Sequence, residues 1–233
     1  MSKKLLVAST STIHGSGYLE YLNDEIKQFF NGIDEIIFIP YARPGGISHD
    51  EYTKVARDKF SEFGIKVKGL HEAEDPRREL TSAKGVFTGG GNTFLLLKTL
   101  YDLSLIEILK SRIENGMPYM GTSAGSNILG MTIGTTNDMP VVYPPSYDAI
   151  GALNFNLNPH FLDPDPNSTH KGETRETRIG EFLVYNDIKV VGLREGSWLR
   201  VEGSDISLKG PLTARVFLKG KETFEHKPGP FRI

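Results

Sequence analysis

The chain has 233 residues, 38% of them hydrophobic, which is enough for a sizeable buried core and too apolar for a disordered chain. Lysine plus arginine (27) nearly balances aspartate plus glutamate (29), so the net charge of −2 offers no basic field for nucleic acid or an anionic membrane. No apolar run approaches the length of a transmembrane helix, and the absence of cysteine removes disulfides, thiolate metal sites and cysteine nucleophiles together.

Leu5–Ala8 reads as a first buried strand; it stops at Ser9-Thr10-Ser11-Thr12, too soon for a secretory signal behind Lys3-Lys4. Tyr18–Phe30 repeats apolar residues at helical spacing, and Ile36–Ile39 is a β-branched strand stopped by Pro40. Asp50–Phe63 predicts a second helix closed by Gly64, followed by strands at Val67–Leu70 and Gly85–Thr88. Asn92 caps a helix running to Tyr101, Leu105–Asn115 forms another, and Met117–Met120 is a brief strand leading to a short helix at Ala124–Leu129. Glu173–Tyr185 predicts a charged helix and Ile188–Leu193 a strand. Leu199–Val201, Ile206–Leu208 and Arg215–Leu218 then alternate as antiparallel strands. The pattern is α/β: one domain over residues 1–233, with a mostly parallel sheet, helices on both faces and an antiparallel C-terminal extension. Between Ile133 and Ser168, proline is frequent and periodicity is lost, which marks a functional segment.

Gly121-Thr122-Ser123-Ala124-Gly125 matches G-x-S-x-G between a strand and a helix. That context lifts a serine Oγ clear of the backbone over free helix N–H groups. Gly89-Gly90-Gly91-Asn92 occupies an equivalent turn, where exposed N–H groups suit the second half of an oxyanion hole. A base for Ser123 is sought among six histidines; His160, stiffened by Pro159, is preferred to His170, and the other four are expected to be structural. Two acids compete to orient it. Asp138 gives the chain order Ser…Asp…His, while Glu195 emerges at the carboxyl edge of the sheet. Arg175, near a helix N-terminus, either pairs with Glu173 or Glu176 or aims its guanidinium at an acidic substrate group. No His-Glu-x-x-His or comparable spacing suggests a metal.

These motifs, with Thr135-Thr136-Asn137-Asp138-Met139-Pro140, Asn158-Pro159-His160, His170–Glu176 and Gly192–Gly196, resemble the peptidase E family of α-aspartyl dipeptidases over nearly the full chain. The resemblance implies a flavodoxin-like fold akin to class I glutamine amidotransferases, with serine where those carry cysteine. It implies a cytoplasmic, metal-free serine exopeptidase cleaving dipeptides after an N-terminal aspartate; no cofactor is expected, and monomer and homodimer both stay open. In its terms Ser123 matches the nucleophile, His160 the base, Asp138 or Glu195 the acid, and Arg175 the partner of the aspartate side chain. Backbone N–H groups of Gly90, Gly91 and Ala124 would hold the oxyanion. Thr122 and Arg194 stand where the best-known bacterial members carry tryptophan and proline. Two other functions fit the sequence: a serine hydrolase of β-aspartyl linkages, similar to cyanophycinases, and a non-catalytic phosphate- or nucleotide-binding domain.

Overall fold

In the computed structural model, which describes residues 3–165, 167, 169 and 172–233, the chain alternates strands and helices as far as its nucleophile turn. The elements are β1 (Lys4–Ala8), α1 (Asn23–Phe29), β2 (Glu35–Ile39), α2 (His49–Ser61), β3 (Lys66–Gly69), α3 (Pro76–Ser82) and β4 (Val86–Thr88). They continue with α4 (Thr93–Asp102), α5 (Ile106–Glu114), β5 (Tyr119–Thr122), α6 (Ala124–Asn127), β6 (Asn156–Pro159) and α7 (Arg175–Tyr185). The chain closes on β7 (Val190–Leu193), β8 (Trp198–Glu202), β9 (Asp205–Lys209), β10 (Ala214–Phe217), β11 (Phe224–His226) and β12 (Gly229–Pro230).

An eight-stranded sheet has the order β12-β9-β8-β1-β5-β4-β2-β3. Its β1, β5, β4, β2 and β3 run parallel, and β8, β9 and β12 extend it antiparallel beside β1. This is the α/β architecture expected from the sequence. Alternation along the strands divides the core: Leu6, Ala8, Ile36, Phe38 and Phe87 face α1 and α2, while Leu5, Val7, Ile37, Ile39 and Val86 face α3, α4 and α5. The parallel strands are therefore covered on both faces, as their near-continuous apolar runs require.

A second sheet, β11-β10-β7-β6, was not expected. Its β6 pairs parallel with β7 inside the proline-rich stretch and ends immediately before His160. The sequence Asn156-Leu157-Asn158-Pro159 conceals a buried strand because two of its residues are asparagines, each almost fully buried. Their NH2 groups find acceptors: Asn156 Nδ2 donates to Thr132 Oγ1 at 2.8 Å, and Asn158 Nδ2 to the Thr135 carbonyl at 2.8 Å.

Smaller differences have local causes. The first helix begins as a 3-10 turn at Glu20–Leu22 before α1. The expected strand at Met117 starts only at Tyr119, since Pro118 has no N–H to donate to a ladder. Helix α3 carries a capping signal passed over in the sequence: Asp75 accepts from the Arg77 and Arg78 N–H groups, with Pro76 at the first helical position.

Candidate active site

Ser123 caps α6 at the carboxyl end of β5 with φ 52° and ψ −113°, a strained backbone that a strand-to-helix elbow imposes. Its flanking glycines are required by close approach. A Cβ on Gly125 would collide with the Thr88 carbonyl of β4, and one on Gly121 with the Gly125 carbonyl. The Ser126 hydroxyl lies 2.7 Å from the Ala8 and Gly121 carbonyls, tying the turn to β1. Thr122 is wholly buried beneath it.

His160 follows β6, also with positive φ (55°), and its Nε2 lies 2.9 Å from Ser123 Oγ. Its Nδ1 lies 2.5 Å from Glu195 Oε1, in the turn after β7. A carboxylate accepts there, so Nδ1 carries the proton and Nε2 is left to accept from the serine hydroxyl. Asp138, favoured by chain order, lines the same cavity but makes no hydrogen bond to His160. Its carboxylate accepts from the Thr93 N–H at 2.7 Å and meets the Thr136 hydroxyl at 3.2 Å, capping α4. The physical reason is topological: β6 and β7 are neighbours, so the residues after them meet. The 137–139 loop is tied to the end of β6 through Asn137, whose Nδ2 donates to the Pro159 carbonyl at 2.7 Å. Its Asp138 side chain, however, is turned to α4, where Asn92 Nδ2 also donates to the Met139 carbonyl at 2.8 Å.

The glycine loop needs one correction. The Gly90 N–H, expected to face the oxyanion, donates to the Tyr52 hydroxyl at 2.9 Å. The Gly91 and Ala124 N–H groups have no acceptor among the described residues. His170, the rival base, lies outside the described residues.

Arg175 is the first residue of α7 and lines, with Ser123, Asn127, Asp138 and His160, a cavity of about 210 Å³. The paired alternative fails for it: Glu173 lies 3.9 Å from Arg178, and Glu176 accepts from Arg215 at 3.0 Å. Among the described residues no carboxylate forms an ion pair with Arg175. Burial and the adjacent Arg178 lower its affinity for a proton, against the opposing pull of the more distant Glu195 and Asp138 carboxylates.

Several supporting residues carried no motif. Ser9 Oγ donates to the Leu193 carbonyl at 2.7 Å and accepts from the His160 N–H at 2.9 Å, bridging the two sheets. Its only sequence signal was its place after a buried strand, at the sheet edge where α/β sites form. Arg194 forks onto Asp163 (2.6 and 2.9 Å) and Glu225 (2.9 Å), holding the loop after His160 beside the Glu195 turn.

A family model described as "Peptidase family S51" matches residues 5–209. A "Peptidase E" of Streptomyces coelicolor is 50% identical over 216 residues, covering 93% of this chain and 88% of the relative. A Drosophila melanogaster protein named "Probable alpha-aspartyl dipeptidase" is 42% identical, covering 97% and 95%. The crystal structure of a peptidase from an acI-B1 Actinobacterium shares the fold, with TM-score 0.73 at 18% identity over 99% of this chain and 98% of that one. With matches of this length and a serine elbow at its centre, the chain belongs to peptidase family S51 and is a serine peptidase, a hydrolase of peptide bonds.

Proposed function

We propose that this peptidase hydrolyses dipeptides bearing an N-terminal aspartate, through an acyl-enzyme on Ser123. The observation that carries the reading is the guanidinium of Arg175, without an ion-pair partner among the described residues, in the same small cavity as the Ser123–His160 pair. A bidentate cation there suits a short carboxylate side chain next to the scissile carbonyl. The names of the relatives, peptidase E and alpha-aspartyl dipeptidase, agree with it.

In this reading His160 Nε2 takes the Ser123 proton as Oγ attacks the carbonyl that follows aspartate. The N–H groups of Gly91 and Ala124 receive the oxyanion, and Glu195 stabilises the imidazolium before it protonates the leaving amine. Water then repeats the sequence and frees aspartate. Asp138 lends the cavity a negative wall on which the substrate's ammonium group fits. The enzyme works in the cytoplasm on small peptides, as a monomer or homodimer. No helix of the described residues is long and apolar enough to cross a membrane.

The test is hydrolysis of Asp-Leu beside Asn-Leu, Glu-Leu and β-linked Asp-Leu, with Ser123→Ala and Arg175→Ala. Asp-Leu alone should turn over, with activity reduced at least about 10⁴-fold by Ser123→Ala. Arg175→Ala should lower kcat/KM on Asp-Leu by about 100-fold, the scale of a buried charge left unpaired. Full activity of Arg175→Ala would sink the aspartate assignment, and turnover of the β-linked substrate would move the enzyme toward β-aspartyl chemistry.

A further inference from the structure

Tyr52 lies on α2, outside every motif, yet its hydroxyl reaches the glycine loop. The Gly90 N–H donates to it at 2.9 Å, and it donates back to the Gly90 carbonyl at 3.3 Å. Gly89 lacks a side chain because Tyr52 fills that space: a Cβ there would stand 2.5 Å from the phenol oxygen. The loop also faces the nucleophile, since a Cβ on Gly90 would lie 3.0 Å from Ser123 Cβ and 3.6 Å from Oγ.

In a trans peptide the carbonyl and the following N–H point in opposite directions, and no peptide bond among the described residues is cis. Anchoring the Gly90 carbonyl on Tyr52 therefore turns the Gly91 N–H away from the phenol. Three successive glycines would otherwise leave this peptide plane free to rotate. The phenol itself has little freedom. Tyr52 is 2% exposed, its ring meets Phe38 edge-on at 5.0 Å, and the Arg43 guanidinium covers it at 4.7 Å. Packing of α2 against the sheet thus sets the place of a hydroxyl, and the hydroxyl sets the orientation of a backbone donor.

We propose that Tyr52 is a positioning residue for catalysis: its hydroxyl locks the Gly90–Gly91 peptide so that the Gly91 N–H is preorganised for the oxyanion formed at Ser123. The inference rests on the acyl-enzyme reading and deepens it. A donor fixed in advance needs no reorganisation during the reaction, which is why losing one outright lowers turnover about 100- to 1000-fold. Loosening one without removing it should have a smaller effect.

Tyr52→Phe removes the hydroxyl and keeps the ring. We expect kcat on Asp-Leu to fall about 10- to 100-fold with KM changed less than about twofold. Affinity for an aspartate-derived boronate, which forms a tetrahedral adduct with serine, should fall by the same factor, while binding of free L-aspartate stays the same. Placing p-aminophenylalanine at position 52 restores a hydrogen-bonding group at the ring's para position and should recover part of kcat. A wild-type kcat in Tyr52→Phe overturns the proposal, as does equal weakening of the boronate and of free aspartate, or no recovery with the amine. Activity surviving in Ser123→Ala would instead overturn the acyl-enzyme reading on which the proposal stands.

Discussion

Ser123 and His160 meet at 2.9 Å, but the regions that deliver them are held by different forces. The serine elbow is a wedge of backbone against backbone: Gly121 sits on the Gly125 carbonyl and Gly125 on the Thr88 carbonyl, with no volume to spare. Close-packed interiors resist added atoms, so this half is rigid and intolerant. The histidine arm stands on β6, whose buried asparagines donate to the Thr132 hydroxyl and the Thr135 carbonyl, and is braced from outside by the Arg194 ion-pair fork. The fork's bonds are individually modest and partly open to water, so the arm should be adjustable where the elbow is not.

That contrast can be broken most severely at Gly125. Gly125→Ala drives a methyl into the Thr88 carbonyl oxygen, and we expect a loss of at least about 4 kcal/mol or no folded protein, measured by denaturant unfolding. A stable, active Gly125→Ala would show that the elbow yields after all. On the other side, Glu195→Gln should leave the fold intact yet lower kcat about 10³- to 10⁴-fold, because the amide no longer holds the imidazole in its working tautomer or stabilises its charge. Asp138→Asn should lower kcat less than about tenfold and act more on KM. Reversed magnitudes would return the orienting role to Asp138.

The smallest expected effect sharpens the comparison through pH. Hydrogen bonds from Arg194 hold the carboxyls of Asp163 and Glu225 below their ordinary values. Carboxyls with depressed values in the folded state stabilise it above their unfolded values near about 4, and lose that contribution as pH falls through the folded values. Arg194→Ala should cost about 1–2 kcal/mol, a Tm lower by roughly 3–6 °C at neutral pH, since Asp163 is largely exposed and screened. The gap from the parent should persist to about pH 5 and close below about pH 4. A gap independent of pH would assign the role of Arg194 to its uncharged contacts, donation to the Thr213 carbonyl at 2.8 Å and stacking over Phe161, whose ring lies 5.5 Å beneath the guanidinium.

The legible half of the molecule is the one built from neighbours in sequence. Gly121–Gly125 declares an elbow because a strand, two glycines and a helix start fall within a few residues. Asn92 declares a helix start because its side chain accepts from the Leu95 N–H at 3.0 Å, three residues on. The parallel sheet follows from apolar runs that need both faces covered. What escaped was β6, where polar residues are buried because partners from Thr132 and Thr135 reach them, so no period marks the strand.

Chain order could not choose between Asp138 and Glu195, because the decision lies in which strands are neighbours: β6 beside β7 brings Glu195 to His160 across 35 residues. Nor could the triple glycine reveal that the Gly90 N–H is already taken by Tyr52, 38 residues away. The sequence by itself determined the strand–helix alternation, the serine elbow and the family of the fold, since these rest on contacts between near neighbours and on patterns of apolar residues. The tertiary structure alone decided which acid meets the histidine and which backbone donors remain free. A hydrogen bond between distant residues depends on where the strands come to lie, and the spacing of residue types along the chain carries no mark of it.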